Sequence, residues 1–200
     1  MVGINITISP TVLRLDQRHY IKQVAAKFSQ TASAPVASPA TPSGCLGVAI
    51  PDDSPLLDRD THPYLSLIGA LLWITLTRPD IATAVSRASS HSSSPTLAHW
   101  RAALRILRYA VATSNLGLSY PIATSPPVVS AYVDAAFGNE SSRRSRYGFA
   151  IVLSRCLVAW STKATPMVCL STGEAEFVAA TECGKSIMWL RGLLQEIGLP

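Results

Sequence analysis

The fold class follows most directly from VVSAYVDAAFG, residues 128–138. Its first six residues are mainly β-branched or aromatic, which favours a strand, and the carboxylate of Asp134 ends that strand. Tyr147 to Leu153 and Cys156 to Trp160 predict a hairpin of two more strands, and Met167 to Leu170 allows a short fourth one. The sequence therefore predicts a sheet of consecutive strands with an aspartate at the end of the first.

A long helix is predicted to follow these strands. It begins at Ser171 or Thr172, whose hydroxyl groups can cap the first turn. The apolar residues that then recur at helical spacing are Phe177, Ala180, Gly184, Ile187, Leu190, Leu194 and Ile197. Because a run of strands is followed by one long helix, the expected class is α+β.

The N-terminal part predicts a β-hairpin and several helices. Two short alternating runs around Ser9-Pro10 indicate the hairpin, and a helix is expected from about Asp16. Residues 29–60, rich in Ser, Ala, Thr and Pro, predict a linker or a poorly ordered loop. The helices expected after it cover 63–77, 80–89 and the residues that follow Ser94-Pro95-Thr96.

A Ser/Pro connector at 123–127 predicts a boundary between a domain over 1–121 and a domain over 122–200. The net charge of +5 favours an anionic partner, and most of it lies in the first domain, which has ten Lys/Arg and six Asp/Glu. The longest apolar run, 65–76, is too short to cross a bilayer, and the first residues do not resemble a secretory or transit signal. An intracellular protein without a membrane partner, in the cytoplasm or the nucleus, is therefore expected.

The four cysteines, Cys45, Cys156, Cys169 and Cys183, show neither a metal-binding nor a disulfide spacing. They are predicted to be incidental or buried thiols.

The helix after Thr96 is predicted to have two different faces. Its apolar stripe is Leu97, Trp100, Leu104, Leu107 and Val111. A second stripe consists of Arg101, Arg105 and Arg108, which recur at helical spacing. Such a cationic face suits nucleic-acid phosphates, although a solvated helix face would have the same composition.

Three carboxylates are candidates for metal chemistry. Nuclease reactions that use divalent metals need carboxylates from different elements, and Asp134 ends a strand while Glu174 and Glu176 lie in the first turns of a helix. The same residues also have ordinary structural explanations. Aspartate is common at turns, and glutamate in a first helical turn favours the helix dipole.

Several motifs together resemble copia-type retrotransposon Pol polyproteins. In the first part they are Tyr64 to Trp73, Thr77 to Ala82 and His99 to Tyr109, which resemble the region after the polymerase palm. In the second part they are Asp134 to Gly138, Arg143 to Ser145, Tyr147 to Phe149, Ala159 to Ser161, Leu170 to Phe177 and Trp189 to Leu194, which resemble the RNase H domain. The resemblance covers nearly the whole chain outside the linker.

This resemblance implies a thumb/connection segment of reverse transcriptase followed by an incomplete RNase H-like mixed sheet with a long helix. It implies that Asp134 and Glu176 are catalytic, and that they hold Mg²⁺, with Glu174 as a neighbouring ligand. The implied partners are an RNA–DNA hybrid or a template–primer duplex and the remainder of the Pol polyprotein. The expected contacts of a template–primer duplex are Arg101, Arg105 and Arg108. Contacts with the hybrid backbone are expected at Arg143 and Arg144, with Arg146 beside them, although three arginines in one turn are usually just solvated.

The chain also departs from the family pattern. Ala136 and Phe137 stand where the family has Asp and Trp, and Gly173 precedes Glu174. The family's later RNase H carboxylates are expected beyond Pro200, and its polymerase carboxylates before Met1. The chain alone is therefore expected neither to synthesise DNA nor to cleave RNA well. The alternatives are a remnant that binds nucleic acid through its basic helix, and a remnant of low solubility with no settled role.

Overall fold

The computed structural model describes residues 3–40, 57–58, 60–122, 128–140 and 142–198. Cys45, most of the predicted linker and the connector at 123–127 lie outside these residues. The chain divides into two compact units, Met1–Tyr120 and Pro121–Pro200. No described helix is long and apolar enough to cross a membrane.

The described residues of unit 1 form a three-stranded sheet, four α-helices and one short 3₁₀ helix. The predicted hairpin is β1, Asn5–Ile8, and β2, Val12–Asp16, and β3, Leu118–Pro121, lies on the other side of β2. The helices are α1, Arg18–Lys27; α2, Tyr64–Ile74; α3, Ala82–Ser89; and α4, Leu97–Ala112. Pro79–Ile81 forms a short 3₁₀ turn, so α3 begins two residues later than predicted.

The helices of unit 1 enclose an apolar core. Its fully buried side chains include Ile21, Leu67, Leu71 and Ile106. The predicted apolar stripe of α4 was right in part, since Leu107 is buried and Trp100, Leu104 and Val111 pack against the core. The buried residues of α4 are His99, Ala103, Ile106, Leu107 and Ala110, whereas Leu97, Trp100, Leu104 and Val111 are only partly buried. α4 packs against α1, α2 and α3, and the small Ala103 and Ala110 allow their close approach.

Where the structure describes unit 2, the chain forms an antiparallel meander and one long helix. Its strands are β4, Val129–Ala136; β5, Arg146–Leu153; and β6, Cys156–Ala164, in the order β4-β5-β6. The sheet was predicted to be mixed, but all of its described pairings are antiparallel. Residues 167–170 form no strand; they lead into α5, Thr172–Glu196, whose N-cap is Ser171.

α5 packs on β4 and β5. The buried cluster under it is Ile151, Cys183, Leu190 and Leu194. The apolar stripe predicted for α5 was partly wrong, because Phe177 is 79% exposed and the helix buries Ala175 and Ala179 instead. Small residues in its first half bring the helix backbone close to the sheet.

Candidate metal and nucleic-acid sites

Asp134 lies in β4 directly opposite Gly148 of β5. Side chains alternate between the two faces of a sheet, and directly opposite residues share a face. Ile151 faces α5, and it pairs with Ala131. Val133 therefore also faces α5, whereas the exposed Asp134 lies on the opposite face of the sheet.

Glu174 and Glu176 differ in their surroundings. One carboxylate oxygen of Glu174 accepts a hydrogen bond from the backbone N–H of Leu170 at 2.6 Å. The backbone N–H of Glu174 in turn donates to the hydroxyl of Ser171 at 3.1 Å. Glu174 is thus part of the N-terminal cap of α5, the structural role that its position allowed.

The carboxylate of Glu176 makes no hydrogen bond or ion pair with another described residue. It is half-buried and follows Ala175, which α5 buries against the sheet. Its carboxylate is therefore the more available of the two for a ligand. Because Asp134 belongs to the other sheet face, the strand register does not bring Asp134 and Glu176 together on one side.

The described residues contain no group of three or more His, Cys, Asp or Glu side chains that could hold a metal ion. Two-metal cleavage needs ligands shared between ions about 4 Å apart, with positions left open for water and phosphate. The arrangement of Asp134, Glu174 and Glu176 in this segment does not fit that requirement, because one is a cap and two lie on different faces.

Comparison with known proteins gives several relatives over almost the full chain. The retrovirus-related Pol polyprotein from transposon TNT 1-94 of Nicotiana tabacum is 35% identical over 193 residues, covering 94% of this chain and 14% of the relative. That from transposon RE1 of Arabidopsis thaliana is 32% identical over 199 residues, 99% of this chain and 13% of the relative. The uncharacterized mitochondrial protein AtMg00810 of Arabidopsis thaliana is 32% identical over 192 residues, 94% of this chain and 76% of that protein.

This chain belongs to the retrovirus-related Pol polyproteins of plant transposons. The resemblance to copia-type Pol is thereby confirmed, and the chain spans about one seventh of the length of these Pol relatives. No family profile and no solved structure matches it.

The basic helix of this Pol segment is α4. Its three arginines lie opposite the buried face, because Arg101, Arg105 and Arg108 are about half a turn from Ala103 and Ala110 on a helix with 3.6 residues per turn. Arg101 is exposed. Arg108 is engaged within unit 1, since its Nε and Nη2 atoms donate to the carbonyl oxygen of Ala34 at 3.2 and 2.8 Å. The cationic face is therefore narrower than the sequence spacing suggests.

Arg143 and Arg144 lie exposed in the loop between β4 and β5 of the Pol segment. Their neighbour Arg146 is buried, and its Nε atom lies 2.6 Å from a carboxylate oxygen of Glu140. The interpretation of Arg146 as a nucleic-acid contact was wrong, because a buried, paired guanidinium has no free donors on the surface. Only Arg143 and Arg144 remain candidates in this loop.

Sequence reasoning missed the most elaborate polar contact of the Pol segment, which centres on Arg78. This side chain is 1% exposed and makes a bidentate pair with Asp80, at 2.8 and 2.7 Å. It also donates to the carbonyl and hydroxyl oxygens of Thr113, at 3.0 and 2.6 Å. Burial raises the pKa of Asp80, but the hydrogen bonds and charge of Arg78 outweigh it, so the net shift is downward. The available signal was the Arg-Pro-Asp run at 78–80, which belongs to a family motif.

Proposed function

We propose that unit 2 is the first part of an RNase H-type domain, whose cleavage of RNA in RNA–DNA hybrids requires further polyprotein residues. The proposal is carried by one arrangement. A three-stranded meander with Asp134 in its first strand is followed by a helix that packs on that strand and bears Glu176 in its first turns. The family membership adds that such a segment occurs within Pol polyproteins.

The same geometry explains why the segment would not cut RNA alone. Asp134 and Glu176 lie on different faces, and no third carboxylate joins either of them among the described residues. A metal bound by a single carboxylate could not stabilise both the attacking water and the leaving oxygen. A productive magnesium site would therefore require the complete polyprotein both to add ligands and to bring Asp134 and Glu176 to one side of the sheet.

A hybrid-cleavage assay with Mg²⁺ or Mn²⁺ tests this proposal. The 200-residue chain is expected to leave the RNA strand intact, whereas the complete polyprotein is expected to cut it. In the complete polyprotein, Asp134→Asn and Glu176→Gln should each abolish cutting. Glu196→Gln is the matched control, because Glu196 is an exposed carboxylate near the end of the same helix. Robust cutting by the polyprotein carrying Asp134→Asn would refute the catalytic assignment.

A second candidate function is nucleic-acid binding without cutting. It is favoured by the exposed Arg101, Arg143 and Arg144, since guanidinium groups on a surface can contact phosphates at little desolvation cost. Replacing each of the three by Gln should weaken binding to a duplex and reduce the slope of log affinity against log salt by about 0.9 per lost contact. Arg108→Gln is expected to leave that slope unchanged, because Arg108 binds Ala34. Equal slopes for all four variants would contradict this function.

A further inference from the structure

A cleft on unit 2 lies between α5 and the β5–β6 hairpin. Its volume is about 410 Å³, within the range of small-ligand sites. The side chains used in the argument below are Tyr147, Phe149, Lys163, Glu182, Lys185 and Trp189. The cleft is on the α5 face of the sheet, opposite the face of Asp134, and Glu176 is not among its lining residues.

The aromatic part of the cleft is open to a ligand. Trp189 is 65% exposed although it is a large apolar side chain on a helix that packs against a sheet. Tyr147 is 6% exposed and forms, with the half-buried Phe149, the deeper wall. An exposed indole beside an aromatic wall offers a π-face on which a planar ring can stack.

The charged part of the cleft favours an anion. Lys185 is neutralised by Glu182, whose carboxylate oxygen lies 2.5 Å from the ammonium nitrogen. Lys163 is exposed, and its ammonium group makes no hydrogen bond or ion pair with any other residue that the structure describes. The cleft therefore has one uncompensated positive charge close to its aromatic groups.

We infer that this cleft binds a nucleotide of single-stranded nucleic acid, with the base stacked on Trp189 and a phosphate at Lys163. A planar base and an anionic phosphate in one ligand match the two parts of the cleft. A duplex does not fit this description, because its bases are paired and their faces are already stacked. RNA and DNA share the chemistry that the cleft contacts, since neither stacking nor a phosphate contact involves the 2′-hydroxyl.

Fluorescence anisotropy of labelled oligonucleotides tests the inference. The probes are oligo-dT and oligo-rU of about ten nucleotides, and a hairpin duplex is the third arm. Trp189→Ala should weaken binding of both single strands at least about fivefold, because one stacked base contributes about 1–3 kcal/mol. Lys163→Gln should reduce the salt slope by about 0.7, the value for one phosphate contact on a single strand.

Two matched controls separate the cleft from general surface effects. Phe177→Ala removes an exposed aromatic ring from another side of α5, and Lys22→Gln removes an exposed ammonium group from unit 1. Both should bind like the unaltered chain. Since Lys163 is exposed, Lys163→Gln is expected to fold normally and remains informative if Trp189→Ala does not fold.

The outcomes are distinct from those of the cleavage assay. Loss of single-strand binding in the two cleft variants only, for one or both of the oligonucleotides, supports the inference and identifies which strand is bound. Unchanged binding in both cleft variants, equal loss in the controls, or binding of the duplex alone overturns it. None of these results bears on cleavage by the complete polyprotein. Nucleotide binding in the cleft can therefore be disproved without disproving the RNase H proposal.

Discussion

The two units differ in how many apolar side chains their helices and strands bury. Among the described residues, the core of unit 1 joins sixteen buried apolar side chains, whereas the core of unit 2 joins four. Unit 2 also exposes large apolar groups on its sheet and its helix, including Tyr132 at 66% and Met188 at 76%. Burial stabilises roughly in proportion to apolar area, so unit 1 is expected to be the more stable of the two. An apolar surface of this kind in unit 2 is typical of a segment that needs further chain or a ligand to cover it.

The largest expected change in stability follows from removing the side chain of Arg78 in unit 1. Arg78→Ala removes a fully buried guanidinium group, which pairs with the exposed Asp80 and donates to Thr113. The free energy of unfolding of unit 1 should fall by about 3–5 kcal/mol, because a buried hydrogen-bond network is broken and a cavity is left. Hydrogen exchange followed by mass spectrometry would show faster exchange in α3 and α4. The exposed Arg101→Ala is the control and should change stability by less than about 0.5 kcal/mol.

The next test concerns pH and the start of α4. The Nδ1 atom of His99 accepts a hydrogen bond from the backbone N–H of Thr96 at 3.0 Å, and its ring stacks on His91 at 3.9 Å. Burial, and to a smaller extent the charge of His91, lower the pKa of His99 to about 4. Between pH 6.5 and 4 the unfolded chain therefore binds a proton that the folded chain does not. Stability should fall as the pH falls through this window, by up to about 3 kcal/mol, and this loss should be complete below pH 4.

His99→Gln separates this effect from the titration of carboxylates. The amide oxygen of Gln can accept the same N–H of Thr96 but does not titrate. Urea unfolding at several pH values should give a shallower dependence between pH 6.5 and 4 for this variant. If the free energy of unfolding depends on pH equally in both proteins, the titration of His99 does not contribute to that dependence.

The spacing of apolar residues predicted where strands and helices lie along the chain better than it predicted which of their faces are buried. The strands at 129–136 and 146–153 and the helices of unit 1 follow from local patterns, because alternation and helical spacing act within one segment. The buried face of α4 was predicted only in part, because Ala103 and Ala110, which are buried there, carry little hydrophobic signal. The sheet face of Asp134 depends on the register with β5, which no local pattern fixes.

Two glycine-to-alanine substitutions test how closely other atoms pack against the backbone in unit 1. A Cβ atom at Gly117 would lie far inside van der Waals contact of the Leu15 carbonyl oxygen and 3.0 Å from Cβ of Asp16. Gly117→Ala should therefore push β2 and β3 apart and cost about 1–3 kcal/mol. At Gly69, in α2, a Cβ atom would meet nothing within 4 Å. Gly69→Ala should instead stabilise unit 1 by about 0.5–1 kcal/mol. Urea unfolding should therefore give a lower free energy of unfolding for Gly117→Ala and a higher one for Gly69→Ala. Changes of equal sign would contradict the close approach of Gly117 to β2.

The smallest expected effect lies in the hairpin turn of unit 2. Ser154 and Arg155 connect β5 to β6, and both have positive φ, 49° and 71°. A two-residue turn with positive φ at both positions favours glycine at the second, because a side chain there is strained. Arg155→Gly should stabilise unit 2 by about 1 kcal/mol and slow hydrogen exchange in β5 and β6, while α2 in unit 1 is unaffected. Arg144→Gly is the control, since Arg144 is exposed in a loop but does not have a positive φ. That change should be neutral or destabilising, because glycine there adds only conformational freedom to the unfolded chain.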